Sequence, residues 1–124
     1  MTVLAIVIGA AIGGPLRYWA DHRLHGRGAT GFPWGVMLVN CAGAFGLAAV
    51  VAAGASGVVA TGVTAGLFGA LTTFSTFADQ TLRLWREGAP RAAVWNVVLS
   101  SGAGIAAVVL GDLTGRLLAD LPLW

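Results

Sequence analysis

Four apolar stretches, at about residues 2–19, 32–54, 58–85 and 92–118, fill almost the whole of a 124-residue chain. Each is close to or beyond the roughly 20 residues that a helix needs to cross a bilayer. Lipid offers no partner for backbone N–H and C=O groups, so segments of this kind cross as helices whose hydrogen bonds close internally. The expected fold is therefore an all-α membrane protein of four transmembrane helices, one domain over residues 1–124, joined by short connectors. Charged residues make up 10% of the chain, against about 25% in soluble domains, which agrees with that reading.

The charges also exclude functions. Seven arginines face four aspartates and one glutamate, giving a formal net charge of +2, which is too small and too scattered for a nucleic-acid footprint. Cys41, the single cysteine, lies inside an apolar run, so no internal disulfide or cysteine metal cluster is available. His22 and His25 lie in a charged loop and read as solvated. Asp79, Glu87, Asp112 and Asp120 lie toward span ends, so an exchanger built on an intramembrane acid is poorly supported. No Lys or Arg precedes the apolar stretch of MTVLAIVIGAAIGG, which is expected to be the first span rather than a secretory leader.

Nineteen glycines recur at helical spacing: Gly9 with Gly13, Gly43 with Gly46, Gly62 with Gly66 and Gly69, Gly111 with Gly115. Small residues so spaced let helix backbones approach closely in lipid. Gly54 to Gly57 reads as a turn. With four spans, Arg23 and Arg27 of the first loop and Arg83, Arg86 and Arg91 of the third share one side, opposite Arg116. The positive-inside rule then puts those loops in the cytoplasm and both termini outside.

The most unusual stretch is GLFGALTTFSTFAD at 66–79, where Thr72 to Phe77 hold four hydroxyls and two phenylalanines. On a continuous helix, Thr72, Ser75 and Thr76 fall at about 0°, 300° and 40°, and Phe74 and Phe77 at about 200° and 140°, on opposite sides. Gly66 and Gly69 weaken the helix just before the run, and hydroxyls can bond its carbonyls, so a break at 69–73 is expected. A broken helix at mid-membrane frees carbonyls and N–H groups that bind cations and anions respectively. Phenyl edges are positive. With hydroxyl and amide donors, they could replace the water lost by a small anion in a narrow passage.

Two further polar residues lie within spans. Asn40, about seven residues into the second, either bonds a neighbouring helix or lines a path. Arg17, after Gly13-Gly14-Pro15 and an intervening Leu16, either snorkels to the interface or stands at the mouth of an anion path. In the fourth span Asn96 and Ser100 are four apart and share a face.

GGPLRYW at 13–19, FPWGVMLVNCAGAF at 32–45 and GLFGALTTFSTF at 66–77 together resemble the Fluc (CrcB-type) fluoride channel family. That resemblance implies passive fluoride efflux across the plasma membrane, no enzymatic activity, and an antiparallel dimer with two pores. It further implies a structural Na⁺ held by backbone carbonyls, here those of Gly69 and Thr72. The implied pore and anion-binding set is Phe74, Phe77, Asn40, Ser75, Thr76 and Ser100, with Arg17 at the mouth. Two departures stand out: Ala70 where the family has a second glycine, and Asn96 where it often has a tyrosine. Many relatives form homodimers by inserting both ways, whereas the arginine bias favours one orientation and an oppositely oriented paralogue as partner. A four-span drug exporter would be expected to carry an acid in its first span, and residues 2–16 have none. A non-catalytic assembly protein is the other alternative.

Overall fold

A computed structural model describes residues 1–24 and 31–121; His25 and Arg27 of the first loop lie outside the described residues. The described chain comprises α1 (Thr2–Leu24), α2 (Trp34–Ala52), α3 (Gly57–Thr61), a π-helical segment (Gly62–Phe68), the short α4 (Gly69–Leu71), α5 (Phe74–Arg86) and α6 (Pro90–Ala119). From Gly57 to Arg86 these pieces make one discontinuous span, so four membrane-crossing units result.

The spans end where local chemistry ends them. At Gly54, φ is +72°, and Gly54 N–H and Ala55 N–H donate to the carbonyls of Val51 and Val50. Gly88, at φ +81°, repeats the arrangement, with Gly88 N–H on Trp85 and Ala89 N–H on Leu84. Each is a glycine-terminated helix whose last carbonyls are capped by the reversing chain. Pro90 then opens α6, at a position where its missing N–H costs nothing. The first helix continues past the expected end at Trp19, because no glycine or proline interrupts it before Gly26. That extension brings Asp21 onto α1, where its Oδ1 accepts from the buried Gln80 amide at 3.1 Å.

The interior is built where backbones touch. A Cβ at Gly9 would fall on the Gly62 carbonyl, one at Gly13 on the Leu67 carbonyl, one at Gly111 on the Phe45 carbonyl and one at Gly115 on the Ala49 carbonyl. These pairs hold α1 against the π segment and α2 against α6, the two most extensive helix contacts. The large aliphatic residues turn outward instead: Val7, Ile8 and Ile12 on α1, and Ile105, Val109 and Leu110 on α6, are all exposed on the single chain. Outward-facing aliphatics around a glycine-lined interior are the arrangement expected in lipid, where dispersion and close approach replace the hydrophobic effect between helices.

The third span breaks within the expected 69–73, at the end of that range. Gly69 is helical at φ −63° and ψ −38°, and Thr72 N–H still reaches the Phe68 carbonyl at 3.1 Å. Only Thr72 (φ −80°, ψ 152°) and Thr73 (φ −152°, ψ 125°) are extended. Gly66 serves a different purpose: it lies against Ile6 and Gly9 of α1, with no room for a side chain. Thr72 therefore does not share a helix with Ser75 and Thr76, and the continuous-helix picture of opposed hydroxyl and phenyl faces is replaced by a junction.

Candidate functional site

The junction has to satisfy the backbone groups that two facing helix ends leave without helical partners. Asn40, from α2, does so for Thr73: its Nδ2 donates to the Thr73 carbonyl at 3.1 Å and its Oδ1 accepts from Thr73 N–H at 2.8 Å. Arg17, from α1, sends Nη1 to the Thr72 carbonyl at 3.4 Å. It thus points into the bundle rather than snorkelling to the interface. Asn40 thus makes the interhelical bond that the sequence left open, and it also borders the recess that lies in front of the junction.

Thr73 is the residue that sequence reasoning passed over. It is the N-cap of α5, and its Oγ1 accepts from Thr76 N–H at 3.3 Å, donates to Thr76 Oγ1 at 3.1 Å and lies 3.2 Å from Ser75 Oγ. Threonine is a preferred N-cap because its oxygen accepts from the backbone N–H two or three residues on, and that signal was legible in the sequence. Thr72 is tied the other way, its Oγ1 donating to Phe68 O at 3.1 Å and lying 3.5 Å from Gly69 O.

In front of the junction is an open recess of about 300 Å³ lined by Asn40, Thr72, Thr73, Phe74 and Phe77. The two rings have centroids 5.9 Å apart and planes inclined at 48°. Phe74 is 79% exposed on the single chain, so one side of this recess has no wall. The N-terminus of the 13-residue α5 opens onto it, where unpaired N–H groups and the helix dipole favour negative charge.

Ser100 lies in a second recess of about 500 Å³ between α2 and α6, together with Ser101, Gly104 and, again, Asn40. Asn40 therefore borders both spaces, and the structure groups Asn40, Phe74, Phe77, Ser75 and Thr76 around the break with Ser100 on the far side of Asn40. Asn96 lines neither: it is 1% exposed and turned toward α5. Ala70 lies in α4, ahead of the extended pair. Among the described residues, no group of three or more His, Cys, Asp or Glu side chains could hold a metal ion. Of the two carbonyls expected from the sequence to hold a cation, that of Gly69, the first residue of α4, lies 3.5 Å from Thr72 Oγ1, and that of Thr72 receives Arg17.

Residues 4–112 match the protein family described as CrcB-like protein, Camphor Resistance (CrcB). The chain is 41% identical over 111 residues to "Fluoride-specific ion channel FluC 1" of Thermobifida fusca, covering 90% of this chain and 92% of that one. It is 42% identical over 125 residues to the protein of the same name from Frankia casuarinae, covering 94% and 97%. To "Fluoride-specific ion channel FluC" of Shewanella piezotolerans it is 39% identical over 114 residues, covering 89% and 92%.

Proposed function

Because the chain belongs to the CrcB family, we propose that it is a fluoride-specific channel, a multi-pass protein of the plasma membrane that lets fluoride leave the cell passively. The observation that carries this reading is the extended Thr72–Thr73 pair in the middle of the third span. It places the N-terminal end of α5, the Asn40 amide and two phenyl rings around one small recess. These are donors and positive edges without a full cation of their own. They suit an anion that is small, strongly hydrated and a strong hydrogen-bond acceptor, and bind it weakly enough to release it. Arg17 supplies a single positive charge behind the junction.

The recess is complete only with a second chain. Phe74, exposed beside polar groups at mid-span, supports a partner that covers it, and an antiparallel arrangement gives two paths. Carbonyls of Gly69 and Thr72 from each chain then make four neutral oxygens at the centre, which suit a structural Na⁺ whose chemistry is only to hold the two junctions together. Arginines concentrated at one end of the bundle favour an oppositely oriented paralogue as the second chain.

Liposomes loaded with fluoride test the function directly. Vesicles carrying the protein, alone or with its paralogue, are expected to release fluoride on addition of a potassium ionophore and to retain chloride. Retention of both ions in both preparations overturns the proposal.

A further inference from the structure

Asn96 is buried in the described structure, on the side of α6 facing α5, and the hydrogen bonds around it run in one direction. Thr81 Oγ1 donates its only proton to the Phe77 carbonyl at 2.7 Å. It can therefore only accept from α6, and Asn96 Nδ2 donates to it at 2.8 Å. That fixes the amide: Oδ1 faces the other way, and Ser100 Oγ donates to it at 3.1 Å. Proton direction thus runs without a break from Ser100 through Asn96 and Thr81 to the backbone of Phe77. The back-bond of Thr81 alone is a common helical feature. What sets it apart is that a side chain only 1% exposed, on another helix, engages it.

We propose that Asn96 is a positioning residue for anion passage, setting at one end the hydroxyl proton of Ser100 and at the other the placement of Phe77. The inference rests on the channel reading above. With its proton on Asn96 Oδ1, Ser100 offers only lone pairs to the recess it shares with Asn40. An arriving anion has to draw that proton off an amide oxygen. Fluoride, the strongest acceptor among the halides, does so where chloride does not. At the other end, the Asn96–Thr81 bond ties α6 to α5 one turn beyond Phe77, whose carbonyl Thr81 engages and whose ring lines the first recess.

The test uses Asn96→Leu, which keeps the branching at Cγ in a larger side chain and removes both bonds, and the pair Thr81→Val and Thr81→Ser, which differ in the hydroxyl. Fluoride and chloride efflux are measured from liposomes, with dimer content followed by size-exclusion chromatography. Asn96→Leu is expected to lower fluoride flux about tenfold, the equivalent of one hydrogen bond to a buried polar group, and to lower the fluoride-to-chloride flux ratio, which a loss of packing alone would leave unchanged. Thr81→Val is expected to fall by a similar factor, Thr81→Ser to stay near wild type, and the Asn96→Leu/Thr81→Val double variant to fall no further than the worse single. A conducting wild type whose Thr81→Val matches Thr81→Ser overturns this inference alone, as does a double variant showing the product of the two losses. A wild type that releases no fluoride overturns the channel reading and this inference with it. If Asn96→Leu does not fold, the two Thr81 variants decide.

Discussion

Asn40 and Thr73 are joined by two hydrogen bonds that run in opposite directions, side-chain amide to carbonyl at 3.1 Å and backbone N–H to side-chain oxygen at 2.8 Å. An amide side chain thus replaces the helical neighbours that the break removes, and it does so from a different span. Asn40→Ala leaves both Thr73 groups without partners at mid-membrane. We expect it to lower thermal stability in detergent by about 1–3 kcal/mol and fluoride flux by at least tenfold. Asn40→Asp keeps the acceptor but presents a second oxygen to the Thr73 carbonyl and a charge to the anion, so its flux should be lower than that of the alanine variant. An aspartate variant that conducts as well as wild type would remove Asn40 from the path.

Phe74 and Phe77 differ in how much the fold depends on them. Phe74 is 79% exposed on the single chain, and Phe77 is half-buried beside it. Isoleucine at either position retains much of the volume and removes the positive ring edge. Phe74→Ile and Phe77→Ile are both expected to abolish measurable fluoride efflux while the purified proteins elute as wild type does. Unchanged efflux in both would contradict the role given to the rings.

Thr72 fills the space that Gly43 leaves. A Cβ at Gly43 would fall on the Thr72 Cγ2 methyl, so Gly43→Ala should destabilise the junction by about 1–3 kcal/mol. Thr72→Ser removes that methyl and keeps the hydroxyl that bonds Phe68. Added to Gly43→Ala, it should restore most of the lost stability, a coupling that a double-mutant cycle of melting temperatures measures. Additive losses would mean that the clash is relieved elsewhere.

The contact of α1 with the π segment has no such release, because the neighbours are backbone. Gly9→Ala meets the Gly62 carbonyl and Gly13→Ala the Leu67 carbonyl, whereas Gly14 has nothing within 4 Å. The first two substitutions should lower the melting temperature clearly and the third should not. Equal effects at all three would show that the packing of α1 is not what these glycines serve.

Much of this arrangement was legible before the structure, and the reasons differ by residue. Apolar length and glycine spacing record backbone contacts directly, so the four spans and the pairs at Gly9, Gly13, Gly111 and Gly115 could be read from sequence. The junction was only half legible. Hydroxyl density announced a break at 69–73, and the extended pair lies at the end of that range, but Gly66 serves helix packing and not bending. Asn40 against Thr73, Asn96 against Thr81 and Gln80 against Asp21 all depend on which helix lies opposite. A single chain read in order does not carry that information. The π segment is of the same kind, since Gly62 and Gly66 within it lie against Ala5, Ile6 and Gly9 of α1.

The distribution of arginines gives the last prediction. The C-terminal ends of α1 and α5 and the start of α6 carry Arg23, Arg83, Arg86 and Arg91, while the opposite end of the bundle has Arg116, four residues from its ion-pair partner Asp112 at 2.8 Å. Orientation follows the count of Lys and Arg near span ends rather than net charge, so the pairing of Arg83 with Glu87 at 3.3 Å does not weaken the bias. One orientation is expected, with the Ala55 turn outside and the Ala89 turn in the cytoplasm. On a Cys41→Ser background, a membrane-impermeant thiol reagent applied to intact cells should label Ala55→Cys and leave Ala89→Cys unlabelled until the cells are opened. Adding Arg86→Gln and Arg91→Gln should make labelling of the two positions more nearly equal. Equal labelling in the parent protein would mean that the chain inserts both ways and can supply its own antiparallel partner, which removes the reason for a paralogue.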